Sequence, residues 1–155
     1  MIRKDILPDV WNDSWRVSDS VEPQLLPLSR GSSAKVVVTD DPWIVEMMQG
    51  KVVCCLPAEL LKIDMEEGST LELYRLQGMN TPQQALTDTR ITMQRDATLR
   101  MCTVTLGGGH VRNNVQVRMQ GEGCSLQADG LYLVDRDQQC DNYIFVEHAK
   151  PHCHS

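Results

Sequence analysis

The sequence predicts an all-β protein: a parallel β-helix core over residues 25–155, preceded by a short arm or helix over residues 1–24. Three observations predict it. Four segments share one apolar pattern, their spacing settles close to 27 residues, and aromatic residues are only 5% of the chain, with one Phe against eight Met. Stacked coils enclose a narrow interior, which takes aliphatic side chains and Met more readily than large rings.

In the first segment Ile6, Val10 and Trp11 fall at helical spacing, Trp15 lies a turn beyond Trp11, and Pro8 interrupts the pattern. This reads as a short helix or an arm laid over the end of the core. The tryptophans there are structural rather than a cofactor box.

The core opens on the repeat. LPLSRGSSAKV (26–36), IDMEEGSTLEL (63–73) and ITMQRDATLRM (91–101) fit one template: two apolar residues two apart, a polar bend with Gly or Asp beside Ser, Ala or Thr, then two more apolar residues two apart. VRMQGEGCSLQA (117–128) is a fourth copy with one residue more in its bend. Alternation means a strand with one face inward, and the Gly or Asp means a corner, so each unit is strand, corner, strand. The first apolar residues after the corner are Ala34, Leu71, Leu99 and Leu126, at steps of 37, 28 and 27. The longest step contains residues 43–56 (WIVEMMQGKVVCCL), an excursion with an apolar run of its own. Further strand candidates are residues 130–134 and 143–146. An antiparallel meander or a β-sandwich can use such units, but neither has a reason to keep the period, whereas a coil of a β-helix needs about 27 residues.

Three motifs invite a chemical reading. LGGGHVRNN (106–114) has no Lys after its glycines and leads into extended chain, so it reads as a turn and not a phosphate loop; Asn113 and Asn114 suit a corner. QQCDNYIFVEHA (138–149) offers Cys140 and His148 as a nucleophile and base, without a recognisable oxyanion hole. HAKPHCHS (148–155) carries three of the four histidines and is the best metal candidate, through His148, His152, Cys153 and His154. Pro151 bends it, and Glu147 is its only suggestive carboxylate. A solvated terminus or structural histidines are the plainer reading.

Composition excludes several classes. The net charge of −6 comes without a Lys/Arg block, which argues against nucleic acid and gives no reason to sit on an anionic membrane. The longest apolar run, Val52 to Leu56, is far short of a bilayer span, and no apolar stretch follows the basic start. Cytoplasm is the expected location, with the six cysteines as reduced thiols.

The last third resembles the SufB/SufD family of iron–sulfur cluster assembly scaffolds, and SufD-type members more closely. The likeness rests on Arg112-Asn113-Asn114, GEG at 121–123, Gly130-Leu131-Tyr132, Asp141-Asn142, then His148 followed by Pro151-His152-Cys153 and Ser155. LELYRLQ at 71–77 matches a preceding strand more loosely. The resemblance implies a right-handed parallel β-helix, obtained independently of the repeat. It also implies a non-enzymatic scaffold of a SufBCD complex, pairing with a SufB-like partner and a SufC-like ATPase. Members of the family are longer, with more coils after the PHCxS motif, C-terminal helices that contact the ATPase, and a later Cys-x-His stretch without a counterpart here. The chain therefore resembles a truncated member, and no catalytic residue is carried over.

The expectations that follow are a scaffold without enzymatic activity and without a resident cofactor. Contact with iron or a nascent iron–sulfur cluster is transient, through His152 with Cys153 and Cys140 with His148. The coil left open after Ser155 predicts self-association. Alternatives are a small cupin-like β-barrel metalloprotein using His148, His152 and His154, and a thiol-dependent enzyme.

Overall fold

The computed structural model describes residues 23–39, 60–78 and 84–155 in full and the backbone of residues 53–55. The expected N-terminal arm of residues 1–24 lies outside the described residues except at its end, where Gln24 already opens a strand, and so does most of the excursion. Within them the secondary structure is β throughout: β1 (Gln24–Leu28), β2 (Ser33–Thr39), β3 (Val53–Cys55), β4 (Leu60–Met65), β5 (Thr70–Gln77), β6 (Gln84–Met93), β7 (Thr98–Leu106), β8 (His110–Met119), β9 (Ser125–Leu133) and β10 (Gln139–His148).

Each strand is followed by a corner and a second strand, and the second does not fold back on the first as a hairpin would. It pairs instead with its equivalent in the next coil. The result is a β-solenoid of two sheets, β1-β4-β6-β8-β10 and β3-β2-β5-β7-β9, with parallel pairing throughout the described strands. Successive coils are β1–β2, β4–β5, β6–β7 and β8–β9, and β10 opens the next. The excursion departs from this winding, since β3 returns to the outer edge of β2.

The register is the one the repeat predicts, residue for residue. Ala34, Leu71, Leu99 and Leu126 lie directly over one another. Leu26, Ile63, Ile91, Val117 and Val146 do the same across the interior. Beside them run Leu28, Met65, Met93, Met119 and finally His148. Leu71, Leu99, Met93 and Met119 are wholly buried. Each such side chain contributes about 1.5–3 kcal/mol on leaving water, and none of it is available to one coil alone.

Away from the corner the interior becomes polar. Asn113 and Asn114 are not in a corner but in the middle of β8, both 3% exposed. Asn113 points inward and is satisfied by the coils around it. Thr87 Oγ1 donates to its Oδ1 (2.8 Å), and its Nδ2 donates to Asn142 Oδ1 (3.0 Å) and Thr105 Oγ1 (3.4 Å). Thr105 Oγ1 donates in turn to Gln77 Oε1 (3.0 Å). Asn114, on the outer face, accepts from Arg112 Nε at 2.8 Å. An amide bonded by its neighbours in the stack has no need of the main-chain bond that makes Asn a turn former. The glycine triplet before β8 is the turn expected, with Gly107 and Gly108 at φ 103° and 91°.

Candidate functional site

The corners of the repeat are built alike, and the candidate site is the last of them. A left-handed residue redirects the chain: Gly31, Gly68, Asp96, Gly123 and His152, at φ 65°, 68°, 56°, 70° and 60°. A small residue follows it each time: Ser32, Ser69, Ala97, Cys124 and Cys153. The amide of the left-handed residue binds the next coil, as in Gly68 N to Arg95 O (2.9 Å) and Asp96 N to Glu122 O (2.8 Å). VEHAKPHCHS therefore follows VRMQGEGCSL position by position. Val146 lies over Val117 and His148 over Met119, while His154 N donates to Cys124 O and Leu126 N to His154 O, each at 2.9 Å. Pro151 and His152 make the bend, as GEG does one coil earlier.

This places the histidines and thiols. His152 holds the position where other corners use Gly or Asp. His148 ends β10 in the interior file but is exposed, and its Nε2 lies 3.0 Å from Ser155 Oγ. Cys153 is half-buried, with Sγ 3.4 Å from Gly121 O and 3.7 Å from Pro151 O. Beneath it Cys124 is wholly buried, donating to Gln94 O (3.2 Å) and Gly121 O (3.3 Å). Burial pushes the Cys124 thiol above its ordinary value, and the neighbouring Cys153 pushes it further, against hydrogen bonds from the backbone at Ala97 and Gly121.

Cys140 is elsewhere. It stands near the start of β10 and His148 at its end, eight residues along one strand and so roughly 26 Å apart. The structure does not bring these two together, and the reading of them as nucleophile and base is corrected by that separation. Cys140 instead joins the polar end of the interior, where Asn142 Nδ2 donates to its sulfur at 3.5 Å. Burial raises this thiol too, with hydrogen bonds to Thr105 and Asn142 opposing.

Among the described residues, no three His, Cys, Asp or Glu side chains gather to hold a metal. The cupin-like reading is not favoured, because such barrels are built from antiparallel strands and the pairing here is parallel.

Sequence reasoning passed over one cluster. On the outer face Asp141 lies 3.2 Å from His110 Nε2 and 4.0 Å from Arg112, whose guanidinium stands over the Tyr143 ring at 5.4 Å. It fastens β10 to β8. Its signal was available once register is known, since Arg112 and Asp141 are direct partners.

Fold and corners together define a parallel β-solenoid whose coils turn on a left-handed residue followed by a small one. Residues 20–155 match the sequence model of one family, described as SUF system FeS cluster assembly, SufBD core domain, and the chain belongs to that family. It is 44% identical over 61 residues to an iron–sulfur cluster assembly SufBD family protein of Mycobacterium leprae, a match covering 39% of this chain and 16% of that protein. Counterparts in Mycobacterium bovis and Mycobacterium tuberculosis are 43% identical over 61 residues, covering 15% of each. The match thus spans about a sixth of the length of these relatives. No solved structure matches the chain. No helix among the described residues is long and apolar enough to cross a membrane.

Proposed function

We propose that the chain is a non-catalytic, SufD-like scaffold in iron–sulfur cluster assembly. It presents a β-solenoid flank to a SufB-like scaffold and to a SufC-like ATPase in the cytoplasm. The observation that carries this is the family match over 20–155 on a chain whose repeats stack in register. The polar side chains inside the solenoid are satisfied by one another across coils, which is the chemistry of a structural element and not of a substrate pocket.

Iron, or a nascent cluster, is cargo in this reading. His152 and Cys153, adjacent on the exposed last corner, are the residues placed to touch it; His148 and Cys140 lie apart on β10. The strands β9 and β10 carry Leu131, Tyr132, Ile144 and Phe145, each about half exposed, an apolar surface that suits a partner solenoid.

Co-expression with a SufB-like protein and a SufC-like ATPase tests the proposal. The expected result is a complex that co-elutes on size exclusion and weakens when Ile144 and Phe145 are both changed to Lys. Elution apart from both partners at micromolar concentration would overturn it.

A further inference from the structure

The file of small residues inside the corners reads Ser32, Ser69, Ala97, Cys124, Cys153, so two thiols meet only at its last step. We infer that Cys124 and Cys153 are a redox pair that closes to a disulfide across the last two corners. This goes beyond the scaffold role and does not depend on it.

Three features of the geometry carry the inference. First, Ser125 and His154 are bridged in parallel, and His154 N donates to Cys124 O, so the two cysteines occupy equivalent places on adjacent coils. Adjacent strands lie about 4.8 Å apart, inside the Cα separation of roughly 4.4–6.8 Å that a disulfide spans. Second, both sulfurs are held against one oxygen, Gly121 O, at 3.3 and 3.4 Å, and the two thiols are close enough to act on each other. Third, the pair is graded in access: Cys153 is half-buried and Cys124 wholly buried. The other described cysteines have no such partner in register, since Cys102 pairs with Tyr74 and Asp129, and Cys140 with Val111.

With a peroxide as oxidant the step balances. The Cys153 thiolate attacks one peroxide oxygen, the O–O bond breaks, and hydroxide leaves to take a proton from solvent, giving a sulfenic acid. Cys124 loses its proton to water, and its sulfur attacks the Cys153 sulfur; the S–S bond forms as the S–O bond breaks, and the second hydroxide leaves. Two thiols and one peroxide become one disulfide and two waters. Cys153 takes the first role because it is the more accessible of the two, and Cys124, buried beneath it, the second. Closure would fasten the corner that carries His152 and withdraw Cys153 from any metal; that last consequence rests on the proposed function.

The test is titration of the reduced 155-residue chain with hydrogen peroxide, then alkylation, digestion without reductant and peptide mass mapping. The expected product is a Cys124–Cys153 linked peptide as the dominant species, reversed by dithiothreitol. Cys124→Ser should leave Cys153 as a sulfenic acid that dimedone traps, with the melting curve of the reduced protein close to wild type. A dominant link between any other cysteines, or Cys153 driven to sulfinic acid while Cys124 stays alkylatable, would overturn the proposal. The wild-type map alone decides it if the variant folds poorly.

Discussion

His152 shows how a residue that looks chemical can be explained by its backbone. It stands at φ 60°, where the corners before it use Gly31, Gly68, Asp96 and Gly123. A non-glycine residue there costs about 1–2 kcal/mol, part of which a glycine returns as greater freedom of the unfolded chain. His152→Gly should therefore leave the protein as stable or up to about 1 kcal/mol more stable, read from thermal melts. A clear loss would mean that the imidazole makes a contact the corner needs. Cys124 gives the second case. Ser69 Oγ in the equivalent place donates to Glu66 O at 2.7 Å, as Cys124 Sγ does to Gly121 O at 3.3 Å. Cys124→Ser should stay within about 1 kcal/mol of wild type. It should also change the alkaline limb. The Cys124 thiol is raised in the folded protein above the ordinary 9.0, so the unfolded chain loses that proton first. Its contribution is whole below pH 9.0 and is lost as pH climbs through the higher folded value. Melting temperatures under reductant should fall less steeply with alkaline pH in Cys124→Ser than in wild type. Asn113 marks what residue-level reading could not reach. Its local sequence says corner, and only the three partners supplied by other coils, Thr87, Thr105 and Asn142, make it a strand residue.

At the scale of elements the corners explain their own sequences. The fourth corner carries one residue more than the third, and the extra residue is absorbed at Gly121, whose amide and that of Gln120 both donate to Met93 O, at 3.2 and 2.9 Å. A Cβ on Gly121 would stand 1.9 Å from the Arg95 amide nitrogen and 2.4 Å from Arg95 Cα. Those are backbone atoms of the coil beneath and cannot swing aside. Gly121→Ala should cost about 3 kcal/mol or more, while Glu122→Ala, on the exposed tip of the same corner, should stay within about 0.5 kcal/mol. Urea unfolding of the two variants checks this; equal midpoints would mean that the coils separate more easily than the register implies. Gly123 needs glycine for a different reason, its φ of 70°. The repeat made the strands and corners from Leu26 to Leu126 legible because both signals were strong there: alternation in the strands and Gly, Asp or Ser in the bends. It failed at the extremes. The fifth corner hides the repeat because Lys150, Pro151 and His152 stand where GEG stands one coil earlier, and only Val146 and Cys153 keep the residues of the fourth copy. β9 and β10 run Ser125–Leu133 and Gln139–His148, longer than the expected 130–134 and 143–146, because their inward positions hold Ala128, Gly130, Cys140 and Asn142, which break the apolar alternation.

At the scale of the whole molecule the described residues form a one-dimensional stack, and its stability should be distributed accordingly. A coil contacts only the coils on either side, so each interior residue is held by two neighbours and a terminal one by a single neighbour. Leu99 is the sharpest probe. It is wholly buried, with Leu71 on one side and Leu126 on the other, so a carboxylate there faces aliphatic carbon in both directions along the stack. Desolvation of that charge costs several kcal/mol, and the about 1.5–3 kcal/mol that the buried leucine side chain contributes is lost with it. Leu99→Asp should therefore abolish the cooperative melt, since a break in the middle separates two stacks that are each too short to persist. The same change at Leu131, on the open strand β9 and 53% exposed, should leave the melt near wild type. Native-state hydrogen exchange supplies the gradient between these extremes. Amides of β6 and β7, paired on both sides, should exchange slowest, and those of the edge strands β1, β3, β9 and β10, each paired on one side among the described strands, fastest. Uniform protection from β1 to β10 would mean that the coils unfold as one unit, with coupling between them strong enough to hide the ends. A graded pattern with an intact Leu131→Asp and an unfolded Leu99→Asp is what stacking in register requires.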